Sequence, residues 1–136
     1  MIGICGDSCV DCPRYIAAES GNAKALEGVK AWWVRLGLRT EDFPAGEMAC
    51  TGCRPENVCA YPEIRACAQK RRLKNCGLCD AYPCGLVAAA FEKTAEFRTR
   101  AASICTPEEF AALDRAFFRK RQILDWIYLE RDEPKK

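Results

Sequence analysis

Apolar residues recur at helical spacing in several stretches of the chain, and no stretch alternates convincingly as a strand would. Leu26, Val29, Trp33 and Leu36 define one face of a helix from about Ala23 to Leu36, with Gly37 as its stop. Trp32 lies off that stripe. Pro62 reads as the opening of a short helix running through Ile64, Cys67 and Ala68 to Arg72. Pro83 reads as another start, continued by Leu86, Val87, Ala90, Phe91, Thr94 and Phe97 to about Ala102. Thr106, Pro107 and Glu109 then supply a capping hydroxyl, a proline at the first helical position and a carboxylate three residues after the cap. They open a last helix, about 106–131, whose core stripe is Phe110, Leu113, Phe117, Leu124 and Ile127. Phe118, Ile123, Trp126 and Leu129 widen its apolar surface, which predicts packing on two sides or, as the less favoured alternative, contact with a partner.

Between these helices lie three cysteine-bearing blocks. Cys5, Cys9 and Cys12 form the first, and Cys50, Cys53 and Cys59 the second, in a loop with Pro, Gly and Asn from Thr40 to Asn57. Cys67 precedes the third, formed by Cys76, Cys79 and Cys84. The expected fold class is therefore mainly α: a small helical domain with irregular, cysteine-rich metal-binding loops of zinc-knuckle type. At 136 residues the chain is expected to be a single domain, 1–136, with the cysteine-rich part at about 3–90. A 49% hydrophobic fraction argues against disorder.

Eleven Cys and no His narrow the chemistry. Without His, no Cys/His dyad, Ser/His triad or His-ligated zinc can be built from this chain, and no catalytic residue is assigned. The first eight residues contain no basic n-region, apolar run or cleavage site, and no apolar stretch reaches the length of a membrane span. A cytoplasmic location with no membrane contact is expected. Thiols stay reduced there, so dense pairs are more often ligands than bridges.

Three C-x-x-C pairs, Cys9/Cys12, Cys50/Cys53 and Cys76/Cys79, carry the strongest signal, because one tight turn presents both sulfurs to an ion. Gly52 and Gly77 sit inside two of these turns, where left-handed backbone or close N–H approach suits a knuckle. The ten clustered cysteines, Cys5, Cys9, Cys12, Cys50, Cys53, Cys59, Cys67, Cys76, Cys79 and Cys84, are the candidate ligands. Cys67, Cys76, Cys79 and Cys84 make a complete local quartet. Cys9/Cys12 facing Cys50/Cys53 make the second, with Cys5 and Cys59 left over. Zinc, two ions, is the expected metal; four thiolates suit an iron–sulfur cluster equally, and spacing alone does not choose. Cys5, Cys9 and Cys12 match the C-x3-C-x2-C spacing of radical SAM enzymes, but the chain lacks the barrel such enzymes need. Cys105, outside every cluster, reads as a small apolar residue.

The segments Cys5-Gly6 to Cys12-Pro13-Arg14-Tyr15-Ile16-Ala17, Cys50-Thr51-Gly52-Cys53, Ile64 to Ala68, and Cys76-Gly77-Leu78-Cys79 to Tyr82-Pro83-Cys84 resemble domain-of-unknown-function family 3795. Its members are small cysteine-rich prokaryotic proteins, presumed to bind zinc. The resemblance spans about residues 3–90 and implies metal binding without implying a reaction.

Charge adds little. The formal net charge is +2, and two zinc ions each held by four thiolates would bring it to about −2. Lys70, Arg71, Arg72 and Lys74, and Arg119, Lys120 and Arg121, form two basic runs that could meet phosphates, although runs on helices are usually solvated faces. Asp7 and Asp11 lie among the first thiols, as solvated loop residues or as groups that orient ligands. The expected role is an interaction module whose metal is structural; the alternatives are an iron–sulfur or open-site metal protein with redox or enzymatic activity, and a nucleic-acid-binding zinc protein. Its macromolecular partner is unknown, and a protein is favoured over nucleic acid.

Overall fold

The structure is a computed structural model in which residues 2–51 and 61–131 are described. It is mainly helical, and among the described residues the sole β-type contact is an isolated antiparallel bridge between Ile2 and Ser8. Six α-helices follow in order: α1 (Pro13–Ser20), α2 (Ala23–Arg35), α3 (Pro62–Lys70), α4 (Gly85–Ile104), α5 (Pro107–Leu113) and α6 (Lys120–Glu130). Short 3-10 turns at Cys9–Asp11, Ala45–Met48 and Cys76–Leu78 join them.

The periodic stretches lie where the sequence puts them. In α2, the Asn22 side chain caps the N-terminus by accepting from the Lys24 N–H, and Gly37 takes the left-handed turn after it (φ 75°). Trp33 and Leu36 are buried, while Trp32 is half-buried and donates through Nε1 to Cys105 Sγ at 3.5 Å. The Thr106/Glu109 capping box forms in full. Helix α1, which the sequence reading omits, starts with Pro13 at its first position and ends at Gly21 (φ 67°). It buries only Arg14 and Ala17, so it shows no apolar stripe. Pro83 does not open α4; Cys84 is the N-cap and the helix starts at Gly85, after a cis Tyr82–Pro83 peptide.

The last predicted helix is not continuous. A π-helical segment, Asp114–Phe118, follows α5, and the backbone breaks at Arg119 (φ −103°, ψ 6°) before α6. Phe117 and Phe118, at the end of this segment, both pack against one core cluster. That accounts for part of the apolar breadth seen in the sequence. Two clusters result. One gathers Ile4, Ile64, Ala68, Tyr82, Val87 and Leu124; the other gathers Trp33, Leu36, Met48, Ala101 and Leu113. Helix α4 spans both, giving Val87 and Ala90 to the first and Phe97 and Ala101 to the second.

Candidate metal centre

The first cysteine loop is a compact turn. Gly3 N–H donates to Asp7 O (2.7 Å) and Gly6 N–H to Gly3 O (3.0 Å), with Gly6 at φ +95°. Cys9 then opens a 3-10 turn and Cys12 forms the N-cap of α1. Cys50 arrives from elsewhere, after the Ala45–Met48 turn, which the buried Arg14 anchors by donating from Nε to Met48 O (2.8 Å). Cys5, Cys9, Cys12 and Cys50 line one cavity of about 180 Å3. Arg14, Arg39, Arg65 and Lys120 supply positive charge to its wall, and Asp7 the negative charge. Trp33, Tyr61, Phe97 and Phe117 make much of the rest. Burial pushes the Cys12 thiol up to about 11, against the opposing pull of the Tyr15 and Arg14 N–H groups and the Arg14 guanidinium.

Lys120 is 4% exposed, and its ammonium pairs with Asp7 Oδ1 at 2.8 Å and lies 4.8 Å from the Tyr61 ring centroid. Burial alone would lower its pKa; Asp7, then Cys5 and Tyr61, outweigh that and hold it above the ordinary lysine value. Lys120 therefore leaves the basic run in which the sequence places it. Arg119 bonds Asp114 at the start of the π-helical segment (2.8 Å) and Lys120 is buried, so the three residues 119–121 do not form one cationic surface.

The third cysteine block builds a second, tighter site. Asn75 accepts from the Gly77 N–H through its side chain, setting the 3-10 turn Cys76–Leu78. Cys76 N–H donates to Ile4 O (2.9 Å), which ties this block to the first. Cys67 projects from α3, and Cys84 caps α4. Cys67, Cys76, Cys79 and Cys84 line a cavity of about 20 Å3. Arg71, just past α3, donates from Nη1 to Cys79 Sγ at 3.7 Å and also faces Cys67; the charge of Cys79 is the largest influence holding its guanidinium above its ordinary value. Gly77 does not serve the turn through a left-handed backbone, as the sequence suggested. A Cβ there would sit 2.9 Å from Ile127 Cβ and 3.0 Å from Leu124 O, so glycine is required by the close approach of α6.

Helix α6 lies along both blocks. Leu124 meets Gly6, where a Cβ would come within 2.8 Å of its Cγ, and Ile127 meets Gly77. Asp125 accepts from the Tyr82 hydroxyl (2.5 Å), and Arg131 pairs with Asp80 (2.7 Å). The last helix is thus a brace between two cysteine loops far apart in sequence.

Nine cysteines are described, and no disulfide joins any two of them. Among the described residues, no three Cys, Asp or Glu side chains yet meet closely enough to hold an ion. The sulfurs line two cavities without converging at a point. Cys53 and Cys59 lie outside the described residues, as does Gly52. Cys5, surplus in the sequence reading, lines the same cavity as Cys9, Cys12 and Cys50. Cys105 is apart from both cavities, packed against the second core cluster. A profile of the family described as "Protein of unknown function (DUF3795)" matches residues 1–89. The chain belongs to that family. Both cysteine blocks and the residues 67–84 fall inside the matched part, whereas the bracing helix α6 falls outside it. No curated protein and no solved structure matches the chain. Sequence reasoning missed Arg71 and Lys120 as partners of the thiol sites, because both sit in basic runs whose helical phase relative to the loops is a tertiary property.

Proposed function

We propose that this member of the DUF3795 family is a cytoplasmic zinc-binding protein in which the metal is structural and orders the loops between helices. Its loops act as zinc-knuckle-like turns, and the ordered domain serves as an interaction module. The observation that carries the reading is that Cys67, Cys76, Cys79 and Cys84 all line one cavity of about 20 Å3, room for one or two water-sized spheres. Four thiolates around a single ion form a coordinatively closed site with no position for substrate. With an ion bound there, the Arg71 guanidinium would donate to ligand sulfur and offset thiolate charge. No residue is assigned a catalytic role.

A protein partner is favoured over nucleic acid by two features. Trp126 and Leu129 stand 63% and 69% exposed, one turn apart on α6. Lys120 is withdrawn from the basic run that phosphates would need. Metal analysis of the purified chain tests the reading: zinc should be present, and Cys79→Ser should lose one ion while the other site keeps its own. Protein that folds identically with no bound metal would overturn it. No helix among the described residues is long and apolar enough to cross a membrane.

A further inference from the structure

The two thiol-lined cavities differ about ninefold in volume, about 180 Å3 against about 20 Å3. A single metal ion needs no more than the smaller, because one probe sphere occupies roughly 10–15 Å3. The larger has room for about a dozen such spheres, far more than one ion between four sulfurs requires and less than the roughly 300 Å3 at which drug-sized pockets begin. We propose that the Cys5, Cys9, Cys12 and Cys50 cavity holds an iron–sulfur cluster of four irons and four sulfides, while the Cys67 quartet holds a single zinc. This rests on the metal-binding reading above and adds that the two sites are chemically unlike.

Three further observations fit that occupant. The ligands come from a compact loop and one distant strand of chain, so a bulky core bridging them fills the space between. Trp33, Phe97 and Phe117 line the same cavity, and apolar side chains around a cluster limit its contact with water. Four cations and one carboxylate line the cavity, enough to neutralise the charge of about −2 that a cluster with four thiolates carries. Charge does not separate the cluster from zinc, since a zinc tetrathiolate is also a dianion; volume does. Lys120, paired with Asp7 and also beside Cys5, is placed to compensate a ligand thiolate directly.

The test is anaerobic incubation of the full reduced chain with zinc, equal amounts of ferrous and ferric iron, and sulfide, so that two irons of each oxidation state and four sulfides make the core without a further oxidant; unbound ions are then removed and zinc, iron and sulfide assayed with the visible spectrum. The expected product holds one zinc, with iron and acid-labile sulfide in equal amounts and broad visible absorption. Cys9→Ser/Cys12→Ser should lose all iron and sulfide and keep its zinc; Cys79→Ser should keep the colour and lose the zinc. If the double variant does not fold, the stoichiometry of the unaltered chain still decides. Two zinc ions with no sulfide would overturn the inference and leave the structural-metal reading standing. No tightly bound metal of any kind would overturn both.

Discussion

Replacing either Asp7 or Lys120 alone should destabilise the protein, because each change leaves a buried charged atom of the other without its counter-charge. The Lys120 ammonium is 4% exposed and 2.8 Å from a carboxylate that is itself 22% exposed. At an effective dielectric of about 20 their attraction is roughly 6 kcal/mol, most of it offset by the cost of taking the ammonium from water. Asp7→Asn keeps that cost and removes the compensation. The Tyr61 ring at 4.8 Å recovers about 1 kcal/mol, which leaves a net loss of about 2–4 kcal/mol and a Tm lower by roughly 10 °C. Lys120→Met removes the ammonium and keeps most of the stem packing, but it leaves the buried Asp7 Oδ1 uncompensated, so it should cost a comparable amount of about 2–4 kcal/mol, near the range for breaking a buried pair. The double variant should cost clearly less than the sum of the two single changes, with a coupling of about 1–3 kcal/mol. Because Lys120 is raised in the folded state, its contribution is complete below the ordinary lysine pKa and lost as pH climbs through the folded value. The gap between wild type and Asp7→Asn should thus hold through neutral pH and narrow only above about pH 10. Urea unfolding followed by far-ultraviolet dichroism, at fixed metal content, measures all four proteins. Additive effects, or a negligible cost for either single change, would refute the buried-pair account.

Other expectations are simpler. Gly77→Ala should cost about 1–3 kcal/mol in thermal unfolding, from a Cβ 2.9 Å from Ile127; Gly28→Ala, within α2 and facing open space, should instead stabilise by about 0.5–1 kcal/mol. Leu124→Ala, at a fully buried position, should cost about 2–5 kcal/mol in the same assay. The Glu109 carboxyl is held below its usual range, first by the Thr106 N–H and also by Arg35, so its stabilisation is present above the ordinary carboxylate pKa and lost as pH falls; Glu109→Gln should flatten the acid limb of a stability–pH curve.

Helix α2 was legible because its apolar stripe, cap and stop all agreed, and the Thr106 capping box because it is a purely local pattern. The break at Arg119 was not, since a π-turn adds one residue to a periodicity that a broad apolar surface conceals. Met48, fully buried, sits in a loop without period, and only Arg14 reaching across 34 positions reveals why it is fixed there. The local quartet at Cys67, Cys76, Cys79 and Cys84 could be grouped by spacing, whereas the placement of Cys5 with Cys9, Cys12 and Cys50 depends on loop closure and on α6. Gly6 and Gly77 were visible as glycines, yet the helix they admit lies tens of residues away.

Near-ultraviolet dichroism of the metal-loaded protein, before and after strong chelation with metal content assayed in the same sample, tests the central claim most directly. Trp33 and Tyr82 are buried in separate core clusters and report on each. If metal orders the loops that α6 braces, removing it should collapse the aromatic signal while much of the far-ultraviolet helical signal remains. An unchanged aromatic spectrum in protein shown to be metal-free would contradict a structural role for the metal.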